Sequence, residues 1–382
     1  MDNDGMDFRS FGGIKVLFIG GTGRLSKDSA ELALNLGYDV YLLTRGSETR
    51  NMFVNPGYKM LYGDIRDYAS CKSLLNEYFF DTVIDFLSFN IDDIKTTLEI
   101  LDNKYKQYIF ISSATVYKKQ SEDEVISEKY TQVGNDTWGY AYNKYLCEQF
   151  LVKNFLSSSR SYYTIVRPYV TYGDTRIPYP IVPRNNSYEW SLLFRIFSGL
   201  SVPVFDNGDT VTTLTHTKDF AKGLVGLICN MAAYKESFHI TSDNITTWGN
   251  VLDCIENSIG IKINRLYVSQ KDIYDVMPEY KQVLLGDKGN KMIFDNRKIH
   301  EAVSNLKFDI SLQTGINEMI KFMNGHDKFH IHDYRWHGQL DRLALMHGSN
   351  NFYKREYKSM KELILYLSGR YKALDYLYKM RN

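Results

Sequence analysis

Lys-Val-Leu-Phe-Ile-Gly-Gly-Thr-Gly-Arg-Leu-Ser, residues 15–26, decides how the rest of the chain is read. Residues 15–20 are a continuous run dominated by apolar β-formers, as in a strand buried on both faces of a parallel sheet. Gly20 and Gly23 take the first and fourth positions of a G-x-x-G-x-x-G pattern, where a side chain would block a tight turn or the approach of a pyrophosphate. Ser26 stands at the third glycine position, where close packing of helix on strand asks for a very small residue. Apolar residues at helical spacing predict a helix over 25–36, with its N-terminus facing the phosphates, and Asp39 to Thr44 reads as the next strand. A glycine pattern alone is also compatible with an ordinary tight turn. Its place after the first strand of a βαβ unit makes it a dinucleotide signal.

Outward from this unit, strands are expected at 59–62, 82–86, 107–112 and 163–167, with helices near 67–78, 92–102 and 140–156 separating most of them. This alternation predicts an α/β fold with a doubly wound parallel sheet, spanning residues 12–178 as the dinucleotide-binding domain. Past Arg176 the prolines at 178, 180, 183 and 203 break the rhythm, and a smaller α/β substrate domain is expected over 179–325, with some segments returning to the main sheet. Its clearest elements are helices near 189–199, 217–231, 247–259 and 311–323 and a strand near 237–241. Residues 326–382 read as a helical C-terminal extension in which Leu363, Leu367, Leu374 and Leu377 could form an apolar stripe.

The composition narrows the function classes. Forty-six Lys and Arg against 45 Asp and Glu give no overall bias toward nucleic acid or an anionic membrane. No apolar run approaches the ~18 residues of a membrane span, and the acidic N-terminus lacks the features of a secretory signal, so a cytoplasmic protein is expected. Four cysteines, at 71, 147, 229 and 254, have neither zinc-site nor disulfide spacing. His326, His330, His332 and His337 could in principle converge on a metal, yet no acidic and cysteine partners stand at a convincing spacing, Asp333 being the candidate considered. The histidines are read as packing residues near Trp336, with no metal expected. The tail from Asn351 interleaves tyrosines with Lys and Arg, which leaves RNA binding as a lesser alternative.

Tyr140 and Lys144 supply the chemistry. An isolated tyrosine, with a pKa near ~10, is a poor proton donor at neutral pH, and a cation four residues along a helix shares its face and stabilises the phenolate. At the end of the second strand an acidic residue would bind the adenosine ribose hydroxyls, but Thr44 stands there and Arg45 follows, which favours a 2′-phosphate and hence NADP over NAD. Arg45 as a plain surface charge is the competing reading. Asp64 is placed to contact adenine or to cap a helix.

Taken together, Gly20-Gly-Thr-Gly23, Gly63-Asp64, Ser112-Ser-Ala-Thr-Val-Tyr117, Tyr140 with Lys144, Arg167-Pro-Tyr-Val-Thr-Tyr-Gly173 and His216-Thr-Lys-Asp219 resemble the extended short-chain dehydrogenase/reductase superfamily, in its nucleotide-sugar branch of NAD-dependent epimerases and dehydratases. The resemblance covers roughly residues 14–325 and implies a Rossmann fold. More narrowly, Leu43-Thr-Arg-Gly46, Asp85-Phe86 and Phe238-His-Ile-Thr-Ser-Asp243 look like a bacterial subgroup with a generic epimerase/dehydratase label. The resemblance implies Tyr140 as general acid/base, Ser113 as its hydrogen-bonding partner, Thr115 as an added hydrogen bond and Lys144 as the ribose-holding cation. Cofactor contacts are implied at Gly20, Gly21, Thr22, Gly23, Arg24, Leu25, Thr44, Arg45, Asp64, Ile65, Lys144 and Arg167. A homodimer through the helices near 92–102 and 140–156 is also implied.

Departures narrow the chemistry. Ala114 and Thr115 replace the Asp-Glu pair with which 4,6-dehydratases eliminate water, which argues against dehydration. Val170 and Thr212 stand where the family often has a substrate-binding Asn and a diphosphate-gripping Arg. Arg176, Arg184, Arg195, Lys291 or Arg297 could grip a diphosphate instead. The expectation is NADP-dependent reduction of a keto sugar nucleotide; the alternative is an epimerase with tightly bound NAD.

Overall fold

The computed structural model describes residues 13–46, 55–121, 123–155, 161–353 and 357–381. The acidic N-terminal segment, residue 156 and the side chain of Leu377 lie outside the described residues.

Seven parallel strands form the main sheet: β1 (Lys15–Ile19), β2 (Asp39–Thr44), β3 (Lys59–Tyr62), β4 (Phe80–Asp85), β5 (Tyr105–Ile111), β6 (Tyr162–Pro168) and β7 (Glu236–Ile240). Their order is β7-β6-β5-β4-β1-β2-β3. Every ladder is parallel, with Ile19 level with Leu43 of β2 and Asp85 of β4. Valine, leucine, isoleucine and phenylalanine fill β1 because both faces are covered: Val16 to Ile19 have no exposure. The strand order reverses between β1 and β4, and in such sheets the crevice beyond the carboxyl ends at the reversal is where ligands bind.

Each face has its own core. On one, α1 (Lys27–Asn35) packs with the helix Thr217–Gly226, and Ala30, Ala33, Phe220 and Leu224 meet Val16, Phe18 and Ile240. On the other, α2 (Tyr68–Leu75), α3 (Ile91–Leu101) and α4 (Gly139–Phe155) bring Cys71, Ile94, Cys147 and Leu151 against Leu17, Ile19, Val83 and Phe110. Local caps explain the starts: Asp67 accepts from Ser70 N and Asn90 from Asp93 N.

The chain divides into two compact units. The sheet unit comprises residues 1–171, 213–244 and 293–309; the second comprises 172–212, 245–292 and 310–382. The second unit contains a parallel pair, Val202–Phe205 with Arg265–Val268, and the helices Trp190–Phe197, Trp248–Ile259 and Leu312–Asn324. Residues 326–382 belong to this unit rather than standing apart. Arg195, wholly buried, donates to Asp341 of the helix Tyr334–Met346 at 2.9 Å, and Tyr353 N and the Tyr366 hydroxyl donate to the other oxygen of Asp341. Of the leucines expected to form a stripe in the tail, Leu363 and Leu367 are half-buried, Leu367 packing beside Tyr353 and Tyr366, whereas Leu374 is 40% exposed. Glycines take over the contact. A Cβ on Gly338 would lie 2.1 Å from the Tyr366 carbonyl oxygen, and one on Gly369 would lie 2.0 Å from that of Arg335, so the helices Tyr334–Met346 and Met360–Arg370 touch backbone to backbone. Among the described residues no helix is long and apolar enough to cross a membrane.

Candidate active site

The glycine turn leaves β1 at its carboxyl end with Gly20 at φ +84°, a conformation that side chains rarely tolerate. A Cβ on Gly21 would sit 2.6 Å from a methyl of Leu42. Ser26 turns out to close the loop rather than merely to fit it. Its hydroxyl donates to the Gly20 carbonyl (2.7 Å) and accepts from the Gly23 amide (3.0 Å), with the side chain almost wholly buried. Gly21 is buried while Thr22, Gly23, Arg24 and Leu25 are half-buried just before α1. A turn stripped of side chains that opens onto a helix N-terminus fits the phosphates of a dinucleotide.

At the end of β2, Thr44 is half-buried and Arg45 projects into solvent, 3.9 Å from the carboxylate of Asp64. Asp64 also accepts from Arg66 N at 3.1 Å, and Ile65 beside it is buried. An exposed pair of this kind is worth at most ~1 kcal/mol, so Arg45 is readily recruited by another anion.

Lys144 lies at the centre. Its ammonium, 2% exposed, donates to the carbonyls of Ser88 (2.6 Å), past the end of β4, and Ile111 (2.8 Å), the last residue of β5. The rings of Phe89 and Phe110 stand 4.6 and 4.8 Å away. Burial pushes this lysine down to about 8, opposed chiefly by the charge of Asp85. Asp85 in turn shapes the loop that supplies Ser88, accepting from Leu87 N, Ser88 N, the Ser88 hydroxyl and the Tyr108 hydroxyl.

Tyr140 lies in the first turn of α4, one turn before Lys144, its ring tilted against Trp138 at 4.9 Å. Ser113 and Thr115 follow β5, both nearly buried. Thr115 Oγ1 donates to Ser113 Oγ at 2.9 Å, and Asn135 holds the Thr115 carbonyl at 2.9 Å.

Arg167 is placed differently from a cofactor contact. Its guanidinium forms a two-point pair with Glu148 (3.0 and 2.8 Å) and donates to the Tyr117 hydroxyl (3.1 Å), at 5% exposure. Glu148 is one turn beyond Lys144 and also accepts from Ser112 at 2.6 Å. This clamp, extended through Tyr117 to His239 (3.1 Å), fixes α4 against β5 and β6. Sequence reading missed Glu148, Asp85 and Ser88 as positioning groups; the i, i+4 spacing from Lys144 to Glu148 was the available signal for the first. Thr212 is wholly buried, leaving no room there for the long cation that the resemblance expects.

The four tail histidines go to ring packing: His330 stacks on Trp190 at 3.7 Å, His326 on Phe322 at 4.2 Å, and His332 and His337 gather about Phe194 and Tyr353.

Comparison with known proteins accords with this geometry. The NAD dependent epimerase/dehydratase family matches residues 16–240, and the chain belongs to it. A curated relative, the chloroplast stem-loop binding protein of 41 kDa b of Arabidopsis thaliana, is 27% identical over 250 residues, 61% of this chain; the match spans 60% of that protein's length. Among solved structures, epimerase Mth375 from Methanothermobacter thermautotrophicus superposes with a TM-score of 0.67 at 16% identity, covering 83% of this chain and 94% of its own. UDP-glucose 4-epimerase from Bifidobacterium longum, in complex with NAD+ and UDP, gives 0.65 at 18% identity, covering 82% and 99%. At such identities the likeness is one of fold.

The depressed Lys144 value has a signed consequence for stability. The unfolded lysine titrates near 10.5 and the folded one near 8. Between these pH values the unfolded chain therefore holds more protons, and stability rises with pH. In the cofactor-free protein, wild type should gain about 3 kcal/mol relative to Lys144→Met between pH 7 and 10.5, at ~1.4 kcal/mol per pH unit. Urea melts across that range measure it; a flat difference would mean that the ammonium is solvated.

Proposed function

We propose that this protein transfers hydride between a nicotinamide dinucleotide and a keto or hydroxyl carbon of a nucleotide-activated sugar, working in the direction of reduction. The observation that carries the reading is the buried Lys144 ammonium at the carboxyl ends of β4 and β5, one helical turn from Tyr140. The Gly20 to Leu25 turn would hold the cofactor phosphates, Asp64 and Ile65 the adenine side, and Arg45 a 2′-phosphate. The bound dinucleotide supplies the hydride.

The remaining work falls to the chain's own residues. Two of the three ammonium donors of Lys144 are spent on carbonyls, which leaves one for a ribose hydroxyl while its charge favours the Tyr140 phenolate. Tyr140 gives the proton to the substrate oxygen as the carbonyl is reduced. Ser113 Oγ accepts from Thr115, so its own hydrogen is available to the same oxygen. Arg167 and Glu148 act indirectly, by holding α4 in place.

Epimerisation is the second reading, favoured by the family match and by neighbours that are themselves epimerases. It needs the same residues and a retained NAD. RNA binding is suggested by the name of the chloroplast relative. Against it, Arg370 of the tail from Asn351 is engaged within its own unit, lying 4.2 Å over the ring of Phe352.

Tyr140→Phe should lower kcat by at least ~100-fold, the scale of general acid catalysis, while leaving NADPH affinity within about twofold. Retained turnover would sink the mechanism. Arg45→Asp should shift preference from NADP toward NAD by about tenfold or more in kcat/KM, the scale of one lost charge-assisted contact. An unchanged ratio would remove the basis for reduction over epimerisation.

A further inference from the structure

Trp138 differs from the other three tryptophans of the chain. Trp190, Trp248 and Trp336 are buried at 8% exposure or less, and Trp248 donates its indole N–H to the Lys288 carbonyl at 2.9 Å. Trp138 is only half-buried. Among the described residues Tyr140 is the one ring it meets, at 4.9 Å between centroids and 43° between planes, and no acceptor meets its indole N–H. A tryptophan kept for packing usually finds a partner for its N–H. This one leaves part of its surface and its donor open beside the tyrosine.

The backbone fixes the indole in this place. Gly134 N and Asn135 N donate to the Val116 carbonyl at 2.8 and 3.2 Å. The buried Asn135 side chain donates to the Thr115 carbonyl at 2.9 Å and accepts from Thr137 N at 3.2 Å. Through Asn135 the stretch that leads into Trp138 is tied to the turn carrying Ser113 and Thr115. On its other side the Trp138 carbonyl accepts from Tyr142 N at 3.0 Å, which anchors it to the first turn of α4. Trp138 is therefore braced to both halves of the acid/base pair. Gly139, between it and Tyr140, leaves room, since a Cβ there would meet nothing within 4 Å.

A ligand suited to this place is amphipathic. A pyranose ring has C–H groups on its faces and hydroxyls around its rim, so it can lie against an indole and accept from the N–H together. Aromatic walls with a few placed polar groups are the usual lining of small-molecule sites. In the reading above, the oxygen that Tyr140 protonates belongs to the sugar. The sugar, rather than the base or the diphosphate, is then the part of the substrate beside a ring 4.9 Å from that of Tyr140.

We infer that Trp138 is a specificity-determining residue whose indole forms a wall for the sugar ring of the substrate, its N–H donating to a ring hydroxyl. The inference deepens the hydride-transfer reading and rests on it. Sugars differ in the side on which each hydroxyl stands, so a wall fixed beside Tyr140 selects which carbon is presented to the nicotinamide.

Calorimetry on the whole protein saturated with NADPH tests this by comparing UDP-glucose and UDP-galactose with UDP, which lacks the sugar. Trp138→Ala should weaken the tighter of the two sugar nucleotides by about tenfold, the scale of one aromatic contact with one hydrogen bond, and leave UDP within twofold. Trp138→Leu, which keeps apolar bulk without a flat ring, should behave like Trp138→Ala. Trp138→Phe, which keeps the ring and loses the N–H, should fall between these and wild type. A merely structural role would instead weaken UDP and NADPH together with the sugar nucleotides. The inference fails on that outcome, on a wild type for which the sugar adds no affinity over UDP, or on Trp138→Ala and Trp138→Leu variants that keep the wild-type ratio of sugar nucleotide to UDP. A wild type that binds none of the three ligands overturns the substrate reading and the inference with it. Tyr140→Phe should keep the wild-type ratio while losing turnover, so failure of the wall and failure of the hydride-transfer reading give separate signatures.

Discussion

One buried positive charge organises the sheet unit. Removing an unpaired ammonium from water costs several kcal/mol even after the protein relaxes. Lys144 is kept charged by two carbonyls, two aromatic rings and the nearby carboxylate of Asp85. Each partner comes from the carboxyl end of β4 or β5 or from the loop that follows. The ammonium therefore ties α4 to the part of the sheet where the strand order reverses, and that is where the glycine turn also ends.

Burial of Lys144 accounts for features that a list of catalytic residues would leave out. Asp85 takes four donors because the loop after β4 must present the Ser88 carbonyl at a fixed point. Glu148 and Arg167 form a two-point pair in the core because α4 carries both Tyr140 and Lys144, and a helix free to slide would misplace both. Such a pair is weak evidence for stability, since desolvation offsets much of its attraction. Its value lies in position. Similarly, Ser26 exchanges the small size of a third glycine for a hydroxyl that closes the cofactor turn.

Much of the sheet unit was legible because its signals are local. Continuous apolar runs gave strands within a residue or two of their observed ends, and β3 was read at its full extent, Lys59–Tyr62. The order of motifs along the chain also singled out Ser113, Tyr140 and Lys144, which the fold carries on the segment after β5 and on α4. What was missed depends on partners far apart in sequence. Arg167 looked like a cofactor contact because its pairing with Glu148, across 19 residues, has no sequence signature. The contact between the helices Tyr334–Met346 and Met360–Arg370 was also missed, because Gly338 and Gly369 carry it through backbone and leave no apolar pattern to read.

The central claim is that the Gly20 turn and Lys144 together hold a nicotinamide dinucleotide. Titrating the purified protein with NADPH and NADH, read by nicotinamide fluorescence after any dinucleotide released on denaturation has been identified, tests it most directly. The account predicts saturable binding of at least one of them at one per chain, lost or weakened by about tenfold in Lys144→Met. A protein that carries no dinucleotide and binds neither form would contradict it.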